Sequence, residues 1–435
     1  MIDLIITTLI ILFLILTLYT KIELFFFINF LSLFIDSISL NNYTNQVSFN
    51  VLGISLAVQD LFFLSQMIFI SIFLLRKIFA GKFFPHLSYF RISFLLFSFL
   101  VLKILFAFPS QGTMAFLEGK HLLYFFGNIL FFTFARLENK RIKNIMNLVL
   151  CFAFLFSFVA IFRFLGILPH HLSVQEMGWE DTYNAMRYLN RSDLMYLVIG
   201  SFFLFNMMVN VKKITVNSLF YGLSFLFVSF LILTSQTRSV VMVFLLSIIF
   251  YFLINSSLNF KMIIRTFLIL IPFALFSLVL DSSIIQKYFS SFSYQDLFGA
   301  NSTLVFRNVI SLAYLQNMNF QSYFFGMTIA DTPIVFENLY FSSLNAGKVG
   351  LHNFFVECIY YFGIPASIFM IYCYYNIFIR LIKIRKITKN LFLADTLLLS
   401  IFAYFVFYLA WSPDILNGII LGLSINMINN EEGVQ

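Results

Sequence analysis

Apolar runs alternate with short polar breaks along almost the whole chain. They read as helical spans at 2–20, 24–40, 51–75, 92–108, 120–135, 144–168, 194–211, 216–234, 239–254, 262–280, 353–379, 395–411 and 415–428. A helix needs about 20 apolar residues to cross a hydrocarbon core, and most of these runs come near that length. Two longer polar stretches, 169–193 and 281–351, interrupt the rhythm. The pattern predicts an all-α integral membrane protein, a polytopic bundle of 12–13 transmembrane helices in one domain over residues 1–435. No internal repeat and no low-complexity tail divides it.

Composition narrows the class further. Hydrophobic residues make up 61% of the 435 positions, 64 of them are Phe, and the mean hydropathy is +0.94. Charged residues are only 11%, against about 25% in soluble domains. Neither long loop carries enough periodic apolar residues to build a core of its own, so both must pack on the bundle. Residues 2–20 lack a basic leader and a small-residue cleavage site, and read as the first span rather than a signal peptide. Cys151, Cys358 and Cys373 fall in or beside apolar runs without metal spacing, which predicts buried thiols and no disulfide framework.

The net charge of +8 raises the question of nucleic acid, and its distribution answers it. Lys21, Arg76, Lys77, Lys82, Arg91, Arg136, Lys140, Arg141, Lys143, Lys212, Lys213, Lys261, Arg265, Arg380, Lys383, Arg385, Lys386 and Lys389 all fall in alternate loops. Those 18 of 27 basic residues share one side, which the positive-inside rule makes cytoplasmic. Topology accounts for the basic excess, and no nucleic-acid partner is expected. The loops 41–50, 109–119, 169–193, 235–238, 281–351 and 412–414 then face outward. An outward site excludes cytosolic ATP and nucleotide sugars as direct donors.

Three places on that outward side suit anion chemistry. Arg238 opens the run 239–254, with Ser235 and Thr237 ahead of it as capping residues. A helix N-terminus offers free N–H groups and a positive dipole end, and an arginine there adds a bidentate donor. His352 heads the run 353–379, with Asn353 as its cap, and Arg307 lies inside the long loop. Each residue also has a bland role: an interfacial Arg snorkels to headgroups, a lone interfacial His packs, and a loop Arg is solvated.

Taken in order, these positions resemble the bacterial O-antigen polymerase and O-antigen ligase family. The resemblance rests on Thr234-Ser235-Gln236-Thr237-Arg238-Ser239 at a span head and Phe306-Arg307-Asn308 ahead of Phe325-Gly326 in a large loop. It is completed by Leu351-His352-Asn353-Phe354-Phe355 leading into Tyr361-Phe362-Gly363-Ile364-Pro365. It covers residues 230–370 with motifs and the remainder by span pattern; Thr237-Arg238-Ser239 stands where the family has Ser-Arg-Gly. The resemblance implies a multi-pass glycosyltransferase of the bacterial inner membrane with its active site facing the periplasm, and no metal or other cofactor. Such an enzyme moves a glycan from undecaprenyl diphosphate to the hydroxyl of a lipid-linked repeat unit, as a polymerase. As a ligase, it moves the finished chain to lipid A core or protein. Its partners would be the undecaprenyl-diphosphate-linked oligosaccharide, the lipid bilayer, and the chain-length regulator and flippase proteins of the same pathway. Carried over, Arg238 and Arg307 would hold the diphosphate, and His352 would be either the general base or a third phosphate ligand.

The loop 169–193 adds His170, His171, Trp179, Glu180, Asp181, Arg187, Arg191 and Asp193. Trp179 would stack on a sugar ring while Arg187 and Arg191 hold hydroxyls; the same charges also read as helical pairs. Adjacent histidines point in different directions on most backbones, so His170-His171 is not expected to bind metal. Asp36, Asp60, Lys103 and Arg163 are ionisable residues inside spans, where they are costly. Arg163 either snorkels or binds diphosphate, and Asp60, mid-span, either pairs with Lys103 or relays protons in a transporter. Intramembrane charges and span count also fit a flippase or transporter. Against that stand the single long loop and the clustering of polar residues away from the bilayer midplane.

Overall fold

The structure is a computed structural model that describes residues 2–38, 48–51, 54–79, 88–168, 189–210, 216–235, 237–255, 303–329, 353–388, 390–409 and 411–432. Its elements are α1 (Ile2–Thr20), α2 (Ile22–Ile38), β1 (Ser48–Val51), β2 (Ile54–Ala57), α3 (Val58–Phe79), α4 (Ser88–Gln111), α5 (Thr113–Ala135) and α6 (Asn139–Phe164). They continue with α7 (Arg191–Asn210), α8 (Val216–Thr234), α9 (Arg238–Ile254), α10 (Thr303–Gln316), α11 (Phe320–Phe325), α12 (Phe354–Ile384), α13 (Leu391–Phe407) and α14 (Ile415–Glu432). The strands pair antiparallel, from Ser48 with Ala57 to Val51 with Ile54.

The chain is an all-α polytopic membrane protein. Among the described residues five helices are long and apolar enough to cross a membrane, and four more apolar helices are slightly shorter. Large apolar side chains such as Leu9, Phe106, Leu223 and Leu253 lie exposed on the outside of the bundle. A surface of that kind suits lipid rather than water. The predicted span 262–280 lies outside the described residues.

Two boundaries differ from the sequence reading. The run taken as a span from residue 51 begins as the hairpin, and its helix starts only at Val58. Asp60 therefore sits in the first turn of α3, not mid-span. There it accepts the N–H of Ala57 (2.6 Å) and the hydroxyl of Tyr124, closing one half of a capping box. The expected Asp60–Lys103 pair does not form: Lys103 donates to the Met327 carbonyl (2.9 Å) and lies over the Phe99 ring. The predicted loop 109–119 collapses to a turn at Gly112, whose φ of 57° suits glycine. Everything after it, including Glu118 and His121, belongs to α5.

Side-chain contacts fix which helix ends share a side. Asn139 bonds Glu431 (2.8 Å), Asn144 bonds Glu23, Arg380 pairs with Glu432 (3.0 Å), and Arg385 joins Asp395 to Asn255. This is the basic end. From it α9 and α13 run antiparallel, Phe250 stacking on Phe402 at 4.1 Å. α7 runs parallel to α9 through Phe202–Phe244 and Phe205–Tyr251. α5 runs parallel to α14, where Gly418 and Gly422 permit close approach: a Cβ on Gly418 would lie 2.6 Å from the Phe125 oxygen. Phe354 and Phe355 of α12 pack on Tyr408 and Phe405, just past and near the far end of α13. The N-termini of α5, α7, α9, α12 and α14 thus gather at the end opposite the basic one.

Candidate functional site

Five helix starts at one end concentrate positive dipole ends there, and those of α5 and α9 carry no side-chain cap. Arg238 is the first residue of α9, at this end. Thr237 holds the N-cap position but its side chain makes no cap bond; its hydroxyl donates to the Ser235 carbonyl (3.3 Å) instead. The expectation that Ser235 and Thr237 cap through their hydroxyls is therefore corrected. Both are buried, and the N-terminal N–H groups of α9 are left without a side-chain cap.

Asn353 caps α12 as its sequence position suggests, its Oδ1 accepting from Phe355 (3.0 Å) and Val356 (3.3 Å). One turn on, Glu357 is almost completely buried and accepts two hydrogen bonds from other elements. His121 Nε2 of α5 lies 2.6 Å from Oε1, and Ser412 Oγ donates to Oε2 at 2.7 Å. The imidazole is 35% exposed while the carboxylate is 4% exposed, so the pair reaches from the interior to the surface. Sequence reading missed both residues. The available signal was that each lies inside an apolar run, 120–135 or 353–379, where an ionisable side chain needs a reason.

The described part of the long loop, 303–329, is ordered as α10 and α11 against α12. Ile310 and Tyr314, three and seven positions after Arg307 on α10, are buried. Tyr314 packs edge-on to Tyr360 (4.7 Å) and faces Glu118 and Glu357. The family-like motif containing Arg307 is thereby tied to the α12 start. After α11 the chain is pinned by Met327 N–H to the Tyr360 carbonyl (2.6 Å).

Next to this group lies a second buried one. Arg163, fully buried, donates to the Ser37 carbonyl (2.8 Å), Ser37 donates to Asp193, and the Arg163 and Asp193 charges face each other. The snorkelling reading of Arg163 is not met, because its guanidinium is enclosed by α2 and α7. Arg191, at the head of α7, stacks 4.0 Å from the Trp411 ring centre, a cation–π contact. Asp414 accepts from Tyr404 (3.1 Å) and from the Asn417 N–H (2.8 Å), and burial pushes its carboxyl up to about 6.

His352, Trp179 and Arg187 lie outside the described residues, as do His170, His171, Glu180 and Asp181. Of the site positions inferred from sequence, Arg238, Asn353, Arg191 and Arg163 fall at one end of the bundle, and Arg307 lies on a helix packed against α12. Cys358 is buried, but Cys151 is exposed on α6 and Cys373 only partly covered, so the buried-thiol expectation holds for one of three. Among the described residues no group of three or more His, Cys, Asp or Glu side chains is placed to hold a metal ion. No family model matches the chain, and no curated protein matches it.

Proposed function

We propose that this protein is a membrane glycosyltransferase that polymerises a surface polysaccharide on an undecaprenyl diphosphate carrier, at the face opposite its basic end. The single observation that carries this reading is the meeting of helix N-termini at that end. The motif positions Arg238 and Asn353 stand at two of those starts, and the Arg307 helix packs on the second. Diphosphate departure needs charge stabilisation, which open N–H groups and arginines supply. Formation of the new glycosidic bond needs a group to take the acceptor proton, and buried acid–histidine chemistry lies one turn beyond Asn353. By the positive-inside rule this face is periplasmic in a bacterial inner membrane, where a lipid-linked donor is presented.

The test is the surface polysaccharide of cells lacking the gene. Core capped by a single repeat unit supports the polymerase. Carrier-linked chains beside bare core support the ligase alternative, which has the same donor chemistry. Unchanged polysaccharide rules out both.

A further inference from the structure

Glycosyl transfer to a hydroxyl forms a carbon–oxygen bond from the acceptor oxygen and sends the old bond's electrons out with the diphosphate. One proton must leave the acceptor. We propose that Glu357, with His121 behind it and Ser412 before it, takes that proton. The assignment rests on the glycosyl-transfer reading above and deepens it.

The geometry is that of a relay. Glu357 is buried, yet each of its oxygens is held by a donor from a different part of the chain: His121 on Oε1 at 2.6 Å and Ser412 on Oε2 at 2.7 Å. A structural carboxylate in an apolar run would need only to be satisfied. This one is connected at one side to a partly exposed imidazole and at the other to a hydroxyl in the connection between α13 and α14. A hydroxyl that donates to a carboxylate retains lone pairs to accept a second hydrogen bond. The acceptor proton passes to Ser412 Oγ as the Ser412 proton passes to Oε2. The transfer leaves the acceptor's proton on Ser412 Oγ and the former Ser412 proton on Oε2, while His121 holds Oε1 in place. Oε2 later returns its proton through the Ser412 hydroxyl to water, which resets the pair.

The surroundings suit a group that gains and loses charge. His121 faces Glu357 from α5, with Glu118 beside His121; Tyr314 faces it from α10, Ser412 from the connection, and Cys358 and Tyr361 from its own helix. Among these described neighbours His121 is the basic partner, and it is the group that ties the carboxylate to the surface.

Glu357→Gln separates this role from a structural one, since the amide keeps the shape and one accepting oxygen, with its NH2 able to donate to Ser412, but cannot take a proton. With purified protein in vesicles and an undecaprenyl-diphosphate oligosaccharide as donor and acceptor, it should lower kcat at least about a hundredfold. KM should hold, and the wild-type dependence of rate on pH should vanish. Ser412→Ala, which leaves the acid–histidine pair intact, should slow the reaction about tenfold or more and serves if Glu357→Gln does not fold. A wild type that transfers nothing overturns the glycosyl-transfer reading and this assignment with it. A working wild type matched in rate and pH profile by a folded Glu357→Gln, or failing that by Ser412→Ala, overturns this assignment alone.

Discussion

Gly326 and Gly363 meet backbone to backbone, in a junction where neither could carry a side chain. A Cβ on Gly326 would lie 2.7 Å from the Phe362 nitrogen and collide with the Tyr361 carbonyl; one on Gly363 would lie 2.6 Å from the Phe324 carbonyl carbon and 3.0 Å from the Gly326 nitrogen. Both have positive φ, 74° and 80°. The Gly363 bend, two residues before Pro365, breaks α12 and makes the recess into which the α11 exit fits. Met327 then reaches both the Tyr360 carbonyl and Lys103.

That junction predicts a graded result. Ala at Gly326 or Gly363 should lower the thermal midpoint in detergent well beyond Ala at Gly112 or Gly166. The latter pair have φ of 57° and 71° but nothing within 4 Å of the added carbon. Left-handed backbone alone costs about 1–2 kcal/mol for a side chain, and the first pair adds a clash on top. Equal shifts at all four positions would show that the backbone contact between Gly326 and Gly363 adds nothing to stability.

The buried Arg163–Asp193 arrangement predicts a strong single-site effect. Arg163→Met leaves the Asp193 charge without its cation in an enclosed setting, which typically costs about 3 kcal/mol or more. Folded yield, read by size-exclusion chromatography, should collapse. Adding Asp193→Asn should restore much of it, because the stranded charge is gone. A well-folded Arg163→Met protein would show that the charge is met some other way.

Asp414 predicts a pH dependence with a definite sign. Its folded-state value of about 6 lies above the ordinary 3.8, so the folded protein holds the proton over a range where the unfolded chain has lost it. The contribution to stability is complete below about pH 4 and is lost as pH rises through about 6. Across that interval the thermal midpoint of Asp414→Asn should rise relative to wild type, then run parallel above it. A difference that stays constant from pH 4 to 7 would contradict the buried carboxyl.

How much of this was legible in the sequence follows from which forces act locally. Spans at 216–234 and 239–254 could be read to within a residue because bilayer thickness sets run length, and the Asn353 cap because an N-cap bonds only its own next residues. The hairpin at 48–57 was absorbed into a span, since its apolar residues run straight into α3. The turn at Gly112 was taken for a loop because its polar neighbours sit on helix ends. His121 and Glu357 stand 236 positions apart, and nothing local links them; only the parallel packing of α5 on α14 and the return of the chain past Ser412 bring them together. The Gly326–Gly363 junction was likewise present only as two motif glycines, with no sign that they touch.

Glycosyl transfer is tested most directly by glycan lengthening by the purified protein in vesicles supplied with an undecaprenyl-diphosphate-linked oligosaccharide and no nucleotide sugar. A polymerase of this kind yields longer carrier-linked glycans with release of undecaprenyl diphosphate, and both are lost in Arg238→Ala and Arg307→Lys proteins that remain folded. Lengthening that persists at full rate in either variant, or a folded wild type that lengthens nothing and releases no diphosphate, would contradict the polymerase reading.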